Sequence, residues 1–249
     1  MIHIFDGTVF NAGAQALVNT INTTGAMGAG IALEFKLRYP DMFDDYKAKC
    51  DEKKLHIGSV DYYQDPDGTI ICNFPTKAHY AYPSRIEWIE QGLKSFAETF
   101  KEHNVTSAAF PKLGCSNGGL KWEQVKPLMM KYLDLPDIEI YICEDTVSEA
   151  QGVEQQMVDN YNENLRTLDK LIKLTDKQIE ALDNNGKVRR FWQISKIEGV
   201  TPALYKKIFE FFYAKCKPKE PVVEEYGQIS LFGNELKFAS PVEPYEKNQ

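Results

Sequence analysis

The sequence predicts a layered α/β domain at its amino-terminal end, followed by a helical region and a tail with little fixed structure. Short apolar, strand-like runs alternate with segments whose apolar residues recur every three or four positions, as in layered α/β folds. Two glycine-rich loops each connect a predicted strand to a predicted helix. The end of the 249-residue chain is rich in Pro and Glu and cannot bury much apolar surface. We therefore expect a domain over 1–147, a helical region over 150–217 and a flexible tail over 218–249.

The predicted elements of the first domain alternate along the chain. Strands are predicted at Ile2–Phe5, Ala14–Asn19, His56–Tyr63, Thr69–Asn73, Val105–Phe110 and Ile138–Cys143. Helices are predicted at Ala29–Tyr39, Arg85–His103 and Trp122–Leu133. This order indicates helices on both faces of one sheet. Behind it, residues 150–182 and 191–213 carry helical patterns, and an Asn-Asn-Gly break at 184–186 separates them.

The charge distribution argues against a general polyanion-binding domain in the first part of the chain. The formal net charge is −7, and residues 1–150 hold 21 acidic against 14 basic side chains. Residues 187–217 differ, because they hold eight Lys and Arg against two Glu, an excess that could neutralise phosphates. A basic nucleic-acid contact is therefore expected only in the second part.

The cysteine pattern and the hydropathy exclude other classes of protein. Five cysteines with neither a disulfide framework nor zinc-ligand spacing indicate a reducing compartment. No apolar run is long enough to span a bilayer. We therefore expect a cytoplasmic protein that makes no membrane contact.

The densest chemical signal is the loop that follows the second predicted strand, from Val18 to Ala32. The strand delivers Asn19 and Asn22 into a glycine-rich turn that opens a helix. Such a turn lets backbone N–H groups and the helix dipole approach a pyrophosphate closely. It is not a Walker loop, because no Gly-Lys-Ser/Thr follows, and its glycines lack the spacing of a dinucleotide fingerprint.

Two further segments follow strands of the same predicted sheet. Residues 111–120 form a second glycine-rich loop before a helix, and residues 73–79 end a strand in a polar turn that carries Lys77. The carboxyl ends of strands are the usual ligand site in α/β folds, so we expect all three segments to converge. The alternative interpretation is two structural turns and a solvated lysine. Beside a diphosphate, a lysine can act as a charge clamp or as a nucleophile toward an anomeric carbon.

Together these three segments resemble the macrodomain family. Residues 19–32, 73–77 and 114–122 agree in order with its branch of DarG antitoxins, which remove ADP-ribose from thymidine in DNA, and of related terminal ADP-ribose protein glycohydrolases. The resemblance covers about residues 1–145. It implies a three-layer α/β/α fold with a mixed central sheet. It also implies that Lys77 is catalytic and that Asn22 contacts the distal ribose.

The sequence departs from the family pattern at several positions. Common macrodomains hold the adenine with an Asp where Thr8 stands here, so adenine recognition must come from the backbone or from elsewhere. The protein glycohydrolases assist their lysine with an Asp where Gly118 stands here, and this missing acid points to the DNA-directed relatives. Ser116 replaces the usual Gly of the second loop, and Lys121 replaces an acidic residue before Trp122.

The resemblance thus implies a site with Lys77 as its catalytic residue, without a metal and without a cofactor. The residues expected to bind ADP-ribose come from the first turn, the two glycine-rich loops and the strand before the lysine. They are Thr8, Val9, Asn19, Asn22, Thr23, Gly25, Met27, Gly28, Gly30, Ile31, Ala32, Pro75, Thr76, Pro111, Leu113, Gly114, Cys115, Ser116, Asn117, Gly118, Gly119 and Leu120.

The expected function is hydrolysis of the bond between ADP-ribose and a nucleobase in single-stranded DNA. ADP-ribose would be the product, and the protein would reverse a DNA ADP-ribosyltransferase toxin. Removal of ADP-ribose from protein and deacylation of acyl-ADP-ribose are the enzymatic alternatives. A non-enzymatic module that binds ADP-ribose or the toxin is the alternative from another class.

The region beyond residue 150 carries two weaker patterns. Residues 194–208 loosely resemble a helix-hairpin-helix, whose turn would donate backbone N–H groups to a DNA phosphate. The alternative is a module that docks a cognate ADP-ribosyltransferase toxin, as a region in this place does in DarG-like proteins. Gln228–Phe232 resembles the short peptide that binds the bacterial sliding clamp, unless its Leu231 and Phe232 pack on the protein's own helices.

Overall fold

The computed structural model describes residues 1–216, and in this part six strands form one mixed sheet. The strands are β1 (Ile2–Phe5), β2 (Ala16–Asn22), β3 (Asp61–Gln64), β4 (Ile70–Lys77), β5 (Ser107–Pro111) and β6 (Glu139–Cys143). They lie in the order β1-β6-β5-β2-β4-β3. Neighbouring strands are parallel except for β3, which runs antiparallel to β4 at one edge.

Helices cover both faces of this sheet. They are α1 (Gly30–Arg38), α2 (Pro40–Asp51), α3 (Ile86–Thr99) and α4 (Trp122–Tyr132). Because successive side chains of a strand point to opposite faces, Val18 of β2 packs in the core that includes α3 and α4. Leu17 packs in the core that includes α1 and α2. The three-layer α/β/α fold with a mixed sheet is thus confirmed.

Helix α2 has no counterpart among the predicted elements. Its sequence is largely charged, and only Met42, Tyr46 and Cys50 are buried, at a spacing of four residues. Pro40 begins the helix at a position where its missing N–H costs nothing. A single narrow apolar stripe is therefore enough to hold this helix against the sheet.

Strand β4 is longer than predicted. Pro75 favours an end at Asn73, but the strand continues through the proline to Lys77. The neighbouring strand β3 pairs only with residues 70–73, so the later part of β4 is free on that side. A proline is compatible with an unpaired strand edge, where no partner requires its N–H.

Residues 150–216 build a core of their own beside α1. Their helices are α5 (Gly152–Asn164), α6 (Leu168–Leu171), α7 (Asp176–Asn185) and α8 (Pro202–Cys216). The largest buried side chains of this core are aromatic, and the core also takes in Leu37 of α1. Residues 1–216 consequently form one compact unit. Within them no helix is both long enough and apolar enough to cross a lipid bilayer.

Arg190 connects the helical region to the end of the sheet. Its guanidinium donates to Glu154 of α5 at 3.1 Å, to Asp145 at 2.9 Å and to the Val147 carbonyl at 3.1 Å. Arg190 is only 7% exposed. Burial alone would lower its pKa, but the hydrogen bonds to the two carboxylates outweigh burial and raise the pKa of Arg190.

Arg38 makes a second polar connection at the end of α1. It donates to Glu34 at 2.6 Å, and its guanidinium lies over the rings of Phe10 at 4.1 Å and Tyr213 at 5.1 Å. Phe10 precedes the first glycine-rich loop, whereas Tyr213 belongs to α8. One buried cation therefore contacts both parts of the described chain.

The turn at residues 197–201 follows a short 3-10 helix, Phe191–Lys196, and precedes α8. Gly199 has a φ of 88°, in the left-handed region that favours glycine. Pro202 begins α8, as expected for a proline at the first helical position. DNA contact by this turn stays a prediction. The predicted tail, with Gln228–Phe232, lies outside the described residues.

Replacing Arg190 by Ala should destabilise the protein by about 3 kcal/mol or more, since removal of one partner leaves buried carboxylates uncompensated. Urea denaturation followed by circular dichroism measures the change. Arg189 is the matched control, because its side chain is 71% exposed and its ion pair with Glu149 spans 3.5 Å. Arg189→Ala should change the stability by less than about 0.5 kcal/mol. Equal effects of the two variants would contradict the structural role of Arg190.

Candidate functional site

Asn22, the last residue of β2, organises the first glycine-rich loop. Its Oδ1 accepts hydrogen bonds from the Thr24 backbone at 3.0 Å and hydroxyl at 2.7 Å. Its Nδ2 donates to the Ala26 carbonyl at 2.5 Å. Tyr46 of α2 donates to the Asn22 carbonyl at 2.8 Å. Both polar atoms of this amide thus shape the loop, in addition to any contact with a ligand.

The first loop is joined to the end of β4. The register pairs Asn22 with Lys77, after an irregularity that skips Thr76. The Thr23 backbone N–H donates to the Lys77 carbonyl at 3.1 Å, and the Thr23 hydroxyl donates to the Ala78 carbonyl at 2.9 Å. These bonds place Lys77 directly beside the loop, as the position of the strands predicts.

The second glycine-rich loop connects β5 to α4 and closes on itself. The Leu120 N–H donates to the Gly114 carbonyl at 3.0 Å, and the Ser84 N–H donates to the Gly118 carbonyl at 2.9 Å. A Cβ at Gly118 would lie 2.3 Å from the Gly114 oxygen and 2.3 Å from the Ser84 Oγ. Only glycine fits there, so an Asp at this position is incompatible with the loop as it stands.

The two glycine-rich loops meet at the start of α1. A Cβ built on Gly30 would lie 2.7 Å from the side-chain nitrogen of Asn117. Gly30 also has a φ of 57°, which disfavours any side chain. A residue of the second loop therefore touches the first helical residue after the first loop, and the expected convergence of the loops is observed.

The predicted binding residues fall into two groups by exposure. The accessible group comprises Gly28, Gly30, Ser116, Asn117 and Gly119, which are exposed, and Thr8, Thr23, Gly25, Ile31, Ala32, Pro111, Cys115 and Leu120, which are half-buried. The buried group comprises Val9, Asn19, Asn22, Met27, Pro75, Thr76, Leu113, Gly114 and Gly118. Three of the five exposed residues are glycines, so a ligand at the loops would meet backbone as well as the side chains of Ser116 and Asn117.

A row of buried and half-buried polar side chains crosses the sheet below the first loop. Asn19 of β2 donates to Asn73 of β4 at 3.0 Å, and Asn73 donates to Asp61 of β3 at 3.2 Å. Lys49 of α2 donates to Asp61 at 2.7 Å and pairs with Asp45 at 2.6 Å. Burial alone would lower the pKa of Lys49, but its two carboxylate partners raise it. Asn19 therefore supports the loop from inside the fold.

Lys77 is half-buried at the end of β4, and its Nζ donates to the Tyr80 carbonyl at 3.0 Å. This bond holds the amine at the exposed turn that follows β4. His79, the other residue of this turn that could line the site, accepts from the Ala81 N–H at 3.2 Å. Lys77 is therefore a cation that the sheet fixes beside Asn22, and Lys47 of α2 lies against Gly25 of the same loop.

Cys115 is the one thiol of the second loop. Burial raises its pKa, which keeps it in the unreactive thiol form. A binding position without covalent chemistry is consistent with this shift. Within residues 1–216, no three His, Cys, Asp or Glu side chains are grouped so that they could hold a metal ion.

Residues 18–129 match the family described as Macro domain. The macrodomain of DarG from Thermus aquaticus superposes with a TM-score of 0.55 at 40% identity, covering 58% of this chain and 98% of that chain. This chain belongs to the macrodomain family.

Two other relatives agree with this assignment. The macrodomain of Mycobacterium tuberculosis DarG is 41% identical, with a TM-score of 0.55, over 57% of this chain and 97% of that one. Thermosipho africanus DarTG in complex with ADP-ribose is 32% identical, with a TM-score of 0.54, over 59% of this chain and 42% of that one.

The matched part of this chain covers less than half of the length of its curated relatives. The DNA ADP-ribosyl glycohydrolase of Thermus aquaticus is 39% identical over 148 residues, which are 58% of this chain and 41% of that protein. Its counterpart from Mycobacterium tuberculosis is 42% identical over 57% of this chain and 42% of its own length. The similarity therefore concerns the macrodomain and not the helical region.

Sequence reasoning did not identify two residues that hold the site of this macrodomain together. Tyr46 lies on the unpredicted helix α2, and no local pattern connects it to Asn22. Ser84 is buried under the second loop, although it follows an exposed segment in sequence. Both act through contacts between residues distant in sequence, which a local motif cannot reveal.

Gly118→Ala should destabilise this macrodomain by about 2 kcal/mol, because the added methyl group would overlap a backbone oxygen. Gly28→Ala is the matched control, since a Cβ there meets nothing within 4 Å and the backbone is not left-handed. It should change the stability by less than about 0.5 kcal/mol. Thermal unfolding of both variants measures the difference, and a stable Gly118→Ala protein would mean that the second loop has another conformation.

Proposed function

We propose that this chain is an ADP-ribosyl glycohydrolase that releases ADP-ribose from a nucleobase in single-stranded DNA. The observation that carries the proposal is the pairing of Lys77 with Asn22 beside the surface where the two glycine-rich loops meet. A lysine at the end of β4 thus lies next to a glycine-rich surface. That combination suits a diphosphate whose attached ribose reaches the lysine.

The glycine-rich loops and α1 would hold the diphosphate. Gly28 and Gly30 are exposed immediately before and at the start of α1, where free backbone N–H groups and the helix dipole favour an anion. Asn117 closes the same surface from the second loop. The distal ribose would then extend toward Asn22 and Lys77. The hydrogen bond from the Thr23 N–H to the Lys77 carbonyl fixes the end of β4 at this place.

Lys77 would act on the anomeric carbon of that ribose. As a nucleophile, its amine forms a bond to this carbon while the bond to the base breaks, and the base leaves with the electron pair and takes up a proton. Water then displaces the lysine and gives free ADP-ribose. As a charge clamp, Lys77 would only stabilise the negative charge on the departing base, while water attacks the anomeric carbon.

The relatives support DNA as the substrate. Proteins named DNA ADP-ribosyl glycohydrolase are 39% to 42% identical to this chain over about 58% of its length. A relative from Thermosipho africanus, 33% identical, is named as a fusion of a DNA ADP-ribosyl transferase with such a glycohydrolase. We therefore propose that this chain also reverses the action of a DNA ADP-ribosyltransferase, as an antitoxin. The toxin would be its partner.

Lys77→Ala should abolish release of ADP-ribose from a modified oligonucleotide. The Lys77 amine makes only the bond to the Tyr80 carbonyl within the described structure, so the fold should be unaffected. Lys77→Arg separates the two mechanisms, because it keeps the charge but cannot form the same covalent adduct. Loss of activity in both variants supports the nucleophile, and substantial activity of Lys77→Arg supports the charge clamp.

Three outcomes would contradict the proposal. Full activity of Lys77→Ala would remove the lysine from the mechanism. A wild-type protein that binds ADP-ribose but hydrolyses neither DNA, protein nor acyl conjugates would be a non-enzymatic binding module. Faster hydrolysis of modified protein than of modified DNA would identify a protein glycohydrolase. If the ribose opens on the lysine, borohydride should trap ADP-ribose on wild-type protein and not on Lys77→Ala.

Gly28→Val should weaken binding of ADP-ribose at least tenfold, about 1.4 kcal/mol, while the melting temperature stays unchanged. A Cβ at Gly28 meets nothing within 4 Å, so the valine side chain starts in open space, but it would occupy the place proposed for the diphosphate. Calorimetry with ADP-ribose measures the affinity. Unchanged affinity would mean that the diphosphate does not lie on the first loop.

A further inference from the structure

Three aromatic residues form an exposed cluster directly after Lys77. His79, Tyr80 and Tyr82 are grouped, with ring centroids 4.3 Å apart between His79 and Tyr80 and 5.0 Å apart between His79 and Tyr82. Tyr80 is 59% exposed and Tyr82 is 64% exposed. We call these three residues the aromatic rim. Neither tyrosine belongs to a core of the described chain, so packing does not explain them.

The rim extends along the candidate site, because both of its ends are fixed to the glycine-rich loops. Before the rim, the Ala78 carbonyl accepts from the Thr23 hydroxyl of the first loop at 2.9 Å. After the rim, the Ser84 N–H donates to the Gly118 carbonyl of the second loop at 2.9 Å. Inside the rim, the Tyr80 carbonyl accepts from Lys77. The segment that carries the rings therefore lies beside the lysine and between two fixed points.

Contacts within the rim brace its rings against one another. His79 stacks on Tyr80 with an interplanar angle of 29°, and its ring also accepts from the Ala81 N–H at 3.2 Å. These contacts lower the conformational entropy that the tyrosine side chains would lose on binding a ligand. Arg85 follows within three residues of Tyr82, is exposed, and lies 5.1 Å from the Trp88 ring. An exposed cation thus accompanies the exposed rings.

We propose that the aromatic rim stacks a base next to the ADP-ribosylated nucleotide in single-stranded DNA, with Arg85 facing the phosphate backbone. The inference rests on the proposed function and adds how the strand is recognised beyond the ADP-ribose group. Exposed aromatic faces beside a cation are the combination by which proteins bind single strands, since every base offers a planar face. In a duplex these faces are already stacked, so the rim selects unpaired DNA.

The test compares one substrate that reaches the rim with one that does not. The long substrate is an ADP-ribosylated oligonucleotide of roughly seven nucleotides, within the span of a single-strand binding site. The short substrate is the ADP-ribosylated mononucleotide. Tyr80→Ala/Tyr82→Ala should raise the KM for the long substrate at least tenfold. The kinetic constants for the short substrate should stay within about twofold, because it has no neighbouring base.

The matched control is Tyr80→Phe/Tyr82→Phe, which removes the hydroxyl groups and keeps the rings. Stacking depends on the ring faces, so this variant should hydrolyse the long substrate as the wild type does. A loss equal to that of the alanine variant would show that hydroxyl hydrogen bonds, and not stacking, carry the contact. That result would overturn the proposal.

Abasic sites in the long substrate identify the base that is read. Removing the base on one side of the modified nucleotide should raise the wild-type KM about as much as the two alanines do. For the alanine variant, the same abasic substrate should not raise the KM further, because the side chains that stack on the base are already absent. Additive losses at both neighbouring positions would contradict a direct contact between the rim and a neighbouring base.

The remaining outcomes separate this inference from the proposed function. If wild-type protein hydrolyses neither substrate, the proposed function fails, and the rim is tested by fluorescence anisotropy with an unmodified oligonucleotide. Weaker binding of that oligonucleotide by the alanine variant then supports the rim, and equal binding overturns it. If the alanine variant loses activity equally on both substrates, the tyrosines act on the ADP-ribose group. If only modified protein is hydrolysed more slowly, the rim binds a protein chain.

Discussion

The register between β2 and β4 is the constraint on which the candidate site depends. It sets Asn22 opposite Lys77, and a shift by one residue would turn every side chain of β4 to the other face. The buried contacts of Asn19 with Asn73 and of Asn73 with Asp61 resist such a shift, because a slipped pairing would leave buried amides without partners. A polar row inside the sheet thus fixes the position of a cation at its edge.

The sequence predicts the layers and the converging loops because both depend on local patterns. Alternating apolar runs and the glycines of residues 25–30 and 114–119 are visible without any knowledge of the fold. The extension of β4 through Pro75 is not, since it depends on where β3 stops. Likewise, the internal role of Asn22 depends on Tyr46 of α2, a helix whose buried stripe is hidden among charged residues.

The charge pattern of the helical region does not show which of its basic residues are free to contact a phosphate. The basic excess of residues 187–217 suggests phosphate contacts, but Arg190 is bound by Glu154 and Asp145 inside the structure. Lys206 pairs with Glu210 at 2.6 Å. Composition counts these cations equally, whereas burial and nearby carboxylates decide which of them can meet a polyanion. Arg190 is therefore not available to a phosphate, whereas Lys206 stays half exposed beside its carboxylate partner.

Helix α1 contacts the glycine-rich loops at one end and the helical region at the other. Its first residue, Gly30, borders the glycine-rich loops, while Leu37 is buried in the core of the helical region and Arg38 contacts Tyr213 of α8. The nine residues of α1 span about 13 Å. The end of α1 that packs against the helical region therefore lies close behind the glycine-rich loops. A loop that is already held in place loses less conformational entropy when a ligand binds. The helical region thereby holds the far end of the helix whose first residue borders the glycine-rich loops.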